Sequence, residues 1–138
     1  QGFALIEILV SMVILAVGLL GVAALQAAAL RNNQSANERS IAIILNYSML
    51  DSMRANATVA RNGGYNYAWT AACANPNGAT QAPLDVTDWL RAIREDLGQT
   101  ACGNINCLGG KCQVQIQWND ERGTGGDDAY VISSEAFL

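Results

Sequence analysis

Apolar residues run without a charge from Ile8 to Leu30, 23 positions in which only Ser11 and Gln26 carry clearly polar side chains. At 1.5 Å per residue a helix of this length reaches roughly 35 Å, against about 30 Å of bilayer hydrocarbon. The pattern predicts a membrane-spanning helix. Its apolar part exceeds the roughly 7–15 residues of a cleaved secretory signal. Gly18 and Gly21 sit in its middle and each weakens a helix by about 1 kcal/mol relative to Ala. One acid, Glu7, stands directly before the run, after Phe3-Ala4-Leu5-Ile6. A carboxylate costs about 2.5–3.5 kcal/mol at the centre of a spanning helix and less near its end. Glu7 is therefore expected to have a partner.

The helical period continues beyond Leu30. Residues 31–56 contain neither Pro nor Gly. Ala36, Ser40, Ile43, Tyr47, Leu50 and Arg54 fall on one helical face, with Ile43, Tyr47 and Leu50 as its apolar centre. Asn37, Ser48, Asp51 and Ser52 lie towards the other side. The expected element is one rod from Phe3 to Asn56, about 80 Å long and ended by Asn62-Gly63-Gly64. A pair of helices bending near Arg31–Gln34 is the alternative.

Past residue 56 the pattern changes to that of a small mixed head. Tyr65–Trp69 reads as strand or loop, and Cys73–Pro83 as a loop rich in Asn, Gly, Ala and Pro. Thr87–Leu97 reads as a short helix with Asp85 or Thr87 as cap, Trp89, Ile93 and Leu97 inward, and Gly98 past its end. Cys112–Trp118 alternates cleanly, with Cys112, Val114, Ile116 and Trp118 on one side and Gln113, Gln115 and Gln117 on the other. That is the signature of a half-buried strand. Asn119–Asp128 is a Gly- and Asp-rich turn leading to a partner strand at Ala129–Ser133. The fold class is thus α+β: a long N-terminal helix, transmembrane and then amphipathic, packed against a small antiparallel sheet laid on the Ile43/Tyr47/Leu50 stripe.

Composition narrows the chemistry. The 138 residues carry a net charge of −4 and no run of Lys or Arg, so the electrostatic footprint of a nucleic-acid binder is missing. There is no His, which removes Ser-His-Asp and Cys-His nucleophiles and His-based metal sites. No catalytic constellation or cofactor motif is legible. Four cysteines, Cys73, Cys102, Cys107 and Cys112, lie in the head, where staples help a small core in an oxidising compartment. Three pairings are possible. Cys107–Cys112, closing the Leu108-Gly109-Gly110-Lys111 turn, with Cys73–Cys102 is favoured over Cys102–Cys107 with Cys73–Cys112. No C-x-x-C pair exists, which argues against a four-thiolate zinc site and against thiol redox catalysis. Asp120, Glu121, Asp127 and Asp128 are weak calcium candidates; their spacing is not that of an EF-hand, and an acidic hairpin tip is usually just solvated. Arg31 and Arg39 follow the span, and alone would place the head in the cytoplasm. The cysteines favour the opposite side, which fits if a basic leader once preceded Phe3.

Gly2-Phe3-Ala4-Leu5-Ile6-Glu7 followed by an apolar helix resembles the processing site of type IV pilins and pseudopilins. The resemblance implies peptidase cleavage between Gly2 and Phe3, N-methylation of Phe3, and an assembly role for Glu7 as fifth residue of the mature chain. Gln1 and Gly2 would then be a leader remnant (1–2), followed by transmembrane helix (3–30), amphipathic continuation (31–56) and disulfide-stapled head (57–138). Gly18-Leu19-Leu20-Gly21, Leu25-Gln26 and Met49–Asn56 resemble the PilV-type minor pilins. Many major pilins have a Pro in the spanning half; this chain has none there, which suggests a subunit not built for bulk polymer. A buried carboxylate needs a cation or a proton, and the freed amine of a neighbouring Phe3 supplies the cation. The implied function is a minor pilin in a priming or tip complex that supports adhesion and twitching motility. Its partners would be the major pilin, other minor pilins, a tip adhesin, the prepilin peptidase and the inner membrane, with the head in the periplasm. The alternative is a minor pseudopilin of a type II secretion system.

Overall fold

The computed structural model describes residues 3–69, 73–123 and 125–138. Gln1, Gly2 and Thr124 of the acidic turn lie outside the described residues. Helix α1 runs from Phe3 to Ala55 and is helical throughout 31–34, so the two-helix alternative does not occur. A Cβ added at Gly18 or Gly21 would meet no atom within 4 Å, and the cost of these glycines to the helix is one of backbone entropy alone. A short helix α2, Ala57–Arg61, follows the end of α1.

Helix α3 covers Gln81–Leu97, six residues longer at its start than the sequence pattern suggests. Pro83 reads as a loop residue, but it sits in the first turn, where a missing N–H breaks no helical bond. Thr80 occupies the N-cap position, so neither Asp85 nor Thr87 is the cap. Asp85 instead accepts hydrogen bonds from Gln81 and from the Tyr65 hydroxyl, the latter at 2.6 Å. Val86, Trp89, Leu90, Ile93 and Leu97 are buried, which extends the expected inner face by one flank.

The sheet has three antiparallel strands in chain order: β1 (Cys102–Leu108), β2 (Lys111–Trp118) and β3 (Tyr130–Phe137). Strand β1 has no counterpart in the sequence pattern, because Asn and Gly, which disfavour strands, hide its alternation. Gly103 allows Trp89 to reach the sheet: a Cβ there would stand 2.2 Å from the Trp89 ring. Gly109 and Gly110 have φ of 60° and 82°, the conformation of the tight two-residue hairpin joining β1 and β2. Strand β3 starts one residue later and ends four residues later than expected, and it pairs with the whole of β2 from Lys111↔Phe137 to Trp118↔Tyr130.

The stripe of α1 that meets the head is rotated from the one read in the sequence. Ser35, Glu38, Ala42, Asn46, Met49, Leu50 and Met53 are the buried positions. Of the expected apolar centre only Leu50 is buried; Ile43 and Tyr47 remain 42% and 54% exposed. The rotation follows from polar residues of α1 finding partners in the head. The core lies between α1, α3 and the inner sheet face, with Leu50, Met53, Leu90, Ile93, Val114, Ile116 and Trp118 at its centre.

Candidate functional site

From Leu5 onward the N-terminal half of α1 is exposed. Every position from Leu5 to Gln34 is exposed, including Leu9, Ile14, Leu20 and Leu25. Among the described residues this is the one helix long and apolar enough to cross a membrane. An isolated apolar rod of this kind needs lipid or neighbouring helices around it.

Glu7 is the fifth residue of this helix, beyond its first turn, which contains no acid. It is therefore not a simple first-turn complement to the helix dipole. Its backbone carbonyl accepts a 2.7 Å hydrogen bond from the Ser11 hydroxyl. Its carboxylate forms no ion pair among the described residues. The surroundings are Ile8, Ser11, Met12 and Leu15. Among the described residues the acid thus stands on an apolar surface without a cation. Gly2 lies outside the described residues, and Phe3 is the first described residue of the helix.

A polar seam begins one turn past the span, and the sequence pattern does not reveal it. Asp120, at the end of β2, is fully buried. Its Oδ2 accepts hydrogen bonds from Ser35 Oγ (2.9 Å), Arg39 Nε (3.0 Å) and Arg39 Nη2 (2.6 Å). Its Oδ1 has no partner among the described residues. The hydrogen bond to Asp120 raises the Arg39 guanidinium above its already high range, against the opposing effect of burial. Arg39 also stacks 4.2 Å over the Tyr130 ring, which meets Trp118 edge to face. Glu38 accepts from Arg122 at 2.8 Å. Further along, Asn46 Nδ2 reaches Ile132 O and Ser134 Oγ, both at 3.4 Å. These bonds tie the β2–β3 loop and β3 to α1. The legible signal is the helical spacing of Ser35, Glu38, Arg39, Ala42 and Asn46, masked by their polarity.

The same geometry separates the acidic residues of the β2–β3 loop, the weak calcium candidates. Asp120 turns inward to Arg39, away from a shared site with Asp127 and Asp128. The Ala129 N–H and then Asp128 hold Asp127 below the usual carboxylate range, and the pairing with Asp127 pushes Asp128 up. Glu121 binds the Asn119 amide. Among the described residues no three His, Cys, Asp or Glu side chains converge as a metal site.

Both disulfides lie in the head. Cys73 is joined to Cys102 and Cys107 to Cys112, the favoured of the three pairings. The second crosses the β1–β2 pair next to the hairpin. The first ties the segment before α3 to the start of β1.

Residues 1–23 match a family model described as the prokaryotic N-terminal methylation motif. No curated protein and no solved structure matches the chain. The motif is type IV prepilin-like, and a long N-terminal apolar helix carrying a small antiparallel head fits the pilin superfamily, whose members are structural. Such a motif implies processing by a prepilin peptidase and assembly with other pilins.

Proposed function

We propose that this chain is a minor pilin of the type IV pilus, of the PilV type, working in the priming or tip complex that starts fibre growth and supports adhesion and twitching motility. The observation that carries this reading is the methylation motif placed on a bare apolar helix whose acid, Glu7, meets no cation among the described residues. In this reading the peptidase cuts between Gly2 and Phe3, Phe3 is N-methylated, and the chain waits in the inner membrane with its head in the periplasm. Cleavage creates an amine at Phe3. When α1 helices pack together, Glu7 loses its water, and the Phe3 amine of a neighbour neutralises it. The pair sets the axial register between subunits. The partners are the major pilin, other minor pilins and a tip adhesin, and the chain is not an enzyme. The absence of Pro in the spanning half suits a subunit present in few copies.

The test is affinity capture from cells that express the candidate partners, read by mass spectrometry, with the native chain and with Glu7→Ala. Recovery of pilins and adhesin, lost in Glu7→Ala while the head keeps its unfolding midpoint and both disulfides, supports the reading. Recovery of type II secretion pseudopilins instead assigns the chain to that machinery. Loss of head stability in Glu7→Ala would overturn the assembly role.

A further inference from the structure

The three-stranded sheet has two edges, and only one is finished. Along β1, Tyr67 N–H donates to Ile105 O (2.9 Å), Ile105 N–H donates to Tyr67 O (2.8 Å), and Cys107 N–H donates to Asn66 Oδ1 (2.7 Å). The outward-pointing groups of Ile105 and the N–H of Cys107 are thereby used. Along β3 the register fixes which groups point outward. Leu138 N–H donates to Gly110 O, so the even-numbered residues of β3 bond to β2. The N–H and C=O groups of Val131, Ser133, Glu135 and Phe137 therefore face away from the sheet. Among the described residues no backbone hydrogen bond reaches them. Proteins normally blunt such an edge with Lys, Pro, a bulge or a very short strand. Strand β3 has eight residues, no Lys, no Pro and an unbroken register. Its one charge, Glu135, is paired with Lys111 at 2.6 Å.

A second observation lies beside this edge. Helix α3 touches α1 on the side of Leu45, Ser48, Met49 and Ser52, and Trp89 Nε1 donates to Leu45 O at 3.1 Å. Helix α3 also packs on β1. Crossing α1 away from Leu45 thus leads from the β1 side to the β3 edge. At about 100° per residue, Ile43 and Tyr47 stand about 60° and 100° round from Asn46, on the side opposite Leu45. They are half exposed, so an apolar helical flank borders the open strand edge. This is the stripe whose periodicity calls for a sheet on Ile43 and Tyr47; the chain's own three strands stop short of it.

We infer that an extended segment of another polypeptide adds to β3 as a fourth strand. Main-chain bonds to Val131, Ser133, Glu135 and Phe137 hold it, and apolar side chains at alternate positions pack on Ile43 and Tyr47. The intervening side chains are polar and lie beside Ser133 and Glu135. This is strand addition, in which backbone bonds give affinity and alternate side chains give selectivity. A second copy is the less suitable occupant. Strand β3 runs in the same direction as α1: Tyr130 lies at Arg39, and Ile132 and Ser134 at Asn46. Copies anchored in one membrane point the same way, so two β3 strands cannot pair antiparallel. Only this last step rests on reading α1 as a membrane anchor.

The experiment uses the full chain in detergent micelles and an array of synthetic ten-residue peptides. Each peptide alternates Val or Ile with Thr or Ser and has a scrambled counterpart. Each is also made in two forms N-methylated at every second amide. Strand addition predicts retention of alternating peptides, loss on scrambling, and loss with one N-methyl parity but not the other. Ser133→Pro removes an outward N–H and leaves the β2–β3 ladder its bonds, and it should weaken retention about tenfold or more. Ile43→Ser with Tyr47→Ser should weaken it similarly without touching the sheet. Equal binding of scrambled peptides, or retention unchanged in both variants, overturns the inference. A native dimer dissolved by Ser133→Pro also overturns it, by assigning the edge to a second copy. None of these outcomes depends on leader cleavage or on Glu7, so this inference and the pilus role can fail separately.

Discussion

The Arg39–Asp120 pair allows a directional prediction: removing the arginine costs more than removing the aspartate. Asp120 is fully buried, whereas the Arg39 side chain is 34% exposed. In Arg39→Ala the carboxylate stays buried with, among the described residues, only the Ser35 hydroxyl to satisfy it. An uncompensated buried charge costs about 3–5 kcal/mol, and some relief through Ser35 sets the expectation at about 3–4 kcal/mol. The stacking over Tyr130 is lost as well. In Asp120→Ala the guanidinium can turn to water, so the loss is that of charge-assisted hydrogen bonds, about 2 kcal/mol. The assay is urea unfolding of the full chain in detergent, followed by tryptophan fluorescence. Trp118 is buried and lies edge-on to Tyr130, so it reports on this seam. For a head of this size 3 kcal/mol corresponds to roughly 12–24 °C in melting temperature. If Asp120→Ala costs as much as Arg39→Ala, the burial asymmetry does not govern the pair. If both cost under about 0.5 kcal/mol, the seam behaves like the exposed pair Arg54–Asp51 and anchors nothing.

Three further outcomes are expected. Tyr65 is pushed above its ordinary pKa of 10.0, first by burial and then by its hydrogen bond to Asp85; a raised folded-state pKa stabilises below the unfolded value and is lost as pH rises through the folded one. The melting temperature should therefore fall above pH 10, and Tyr65→Phe should remove that part of the alkaline decline. Replacing Cys73 and Cys102 together by Ala should cost about 3.5 kcal/mol, against about 2 kcal/mol for Cys107 with Cys112, on loop-closure entropy alone, for separations of 29 and 5 residues; paired denaturation curves measure the difference. Gly103→Ala drives a methyl into the Trp89 ring and should cost about 1–3 kcal/mol by overpacking, with Trp89 emission shifted in the same sample.

The parts of the fold that are legible in the sequence are those whose signal is local. The charge-free run, the unbroken helical period and the alternation of Cys112–Trp118 each sit within one element, and each forms as read. The motif around Glu7 is equally local. What escapes depends on distant partners. Ser35 meets Asp120, Glu38 meets Arg122 and Asn46 meets Ser134 across separations of 85, 84 and 88 residues. A buried face that includes Ser, Glu and Asn cannot be recognised until those partners are in place. Strand β1 is hidden because pairing with β2 and the contact of Gly103 with Trp89 overrule weak intrinsic preference. The early start of α3 is hidden because Pro83 is harmless in a first turn.

The shared direction of α1 and β3 has a mechanical meaning. The head is fastened to the rod near residue 39 by Asp120 and Tyr130, and near residue 46 where the Asn46 amide meets Ile132 O and Ser134 Oγ. A pull on the apolar half of α1 along its axis, with the head held, loads these fasteners side by side in shear. They cannot be peeled one after another. Resistance to such a load is set by the rate of unfolding, not by equilibrium stability. The seam at Ser35, Glu38 and Arg39 is the first to meet the force, because it lies only a few residues beyond Leu30. A tug on the rod would be transmitted to the sheet at the Asp120 and Tyr130 corner, where β2 ends and β3 begins.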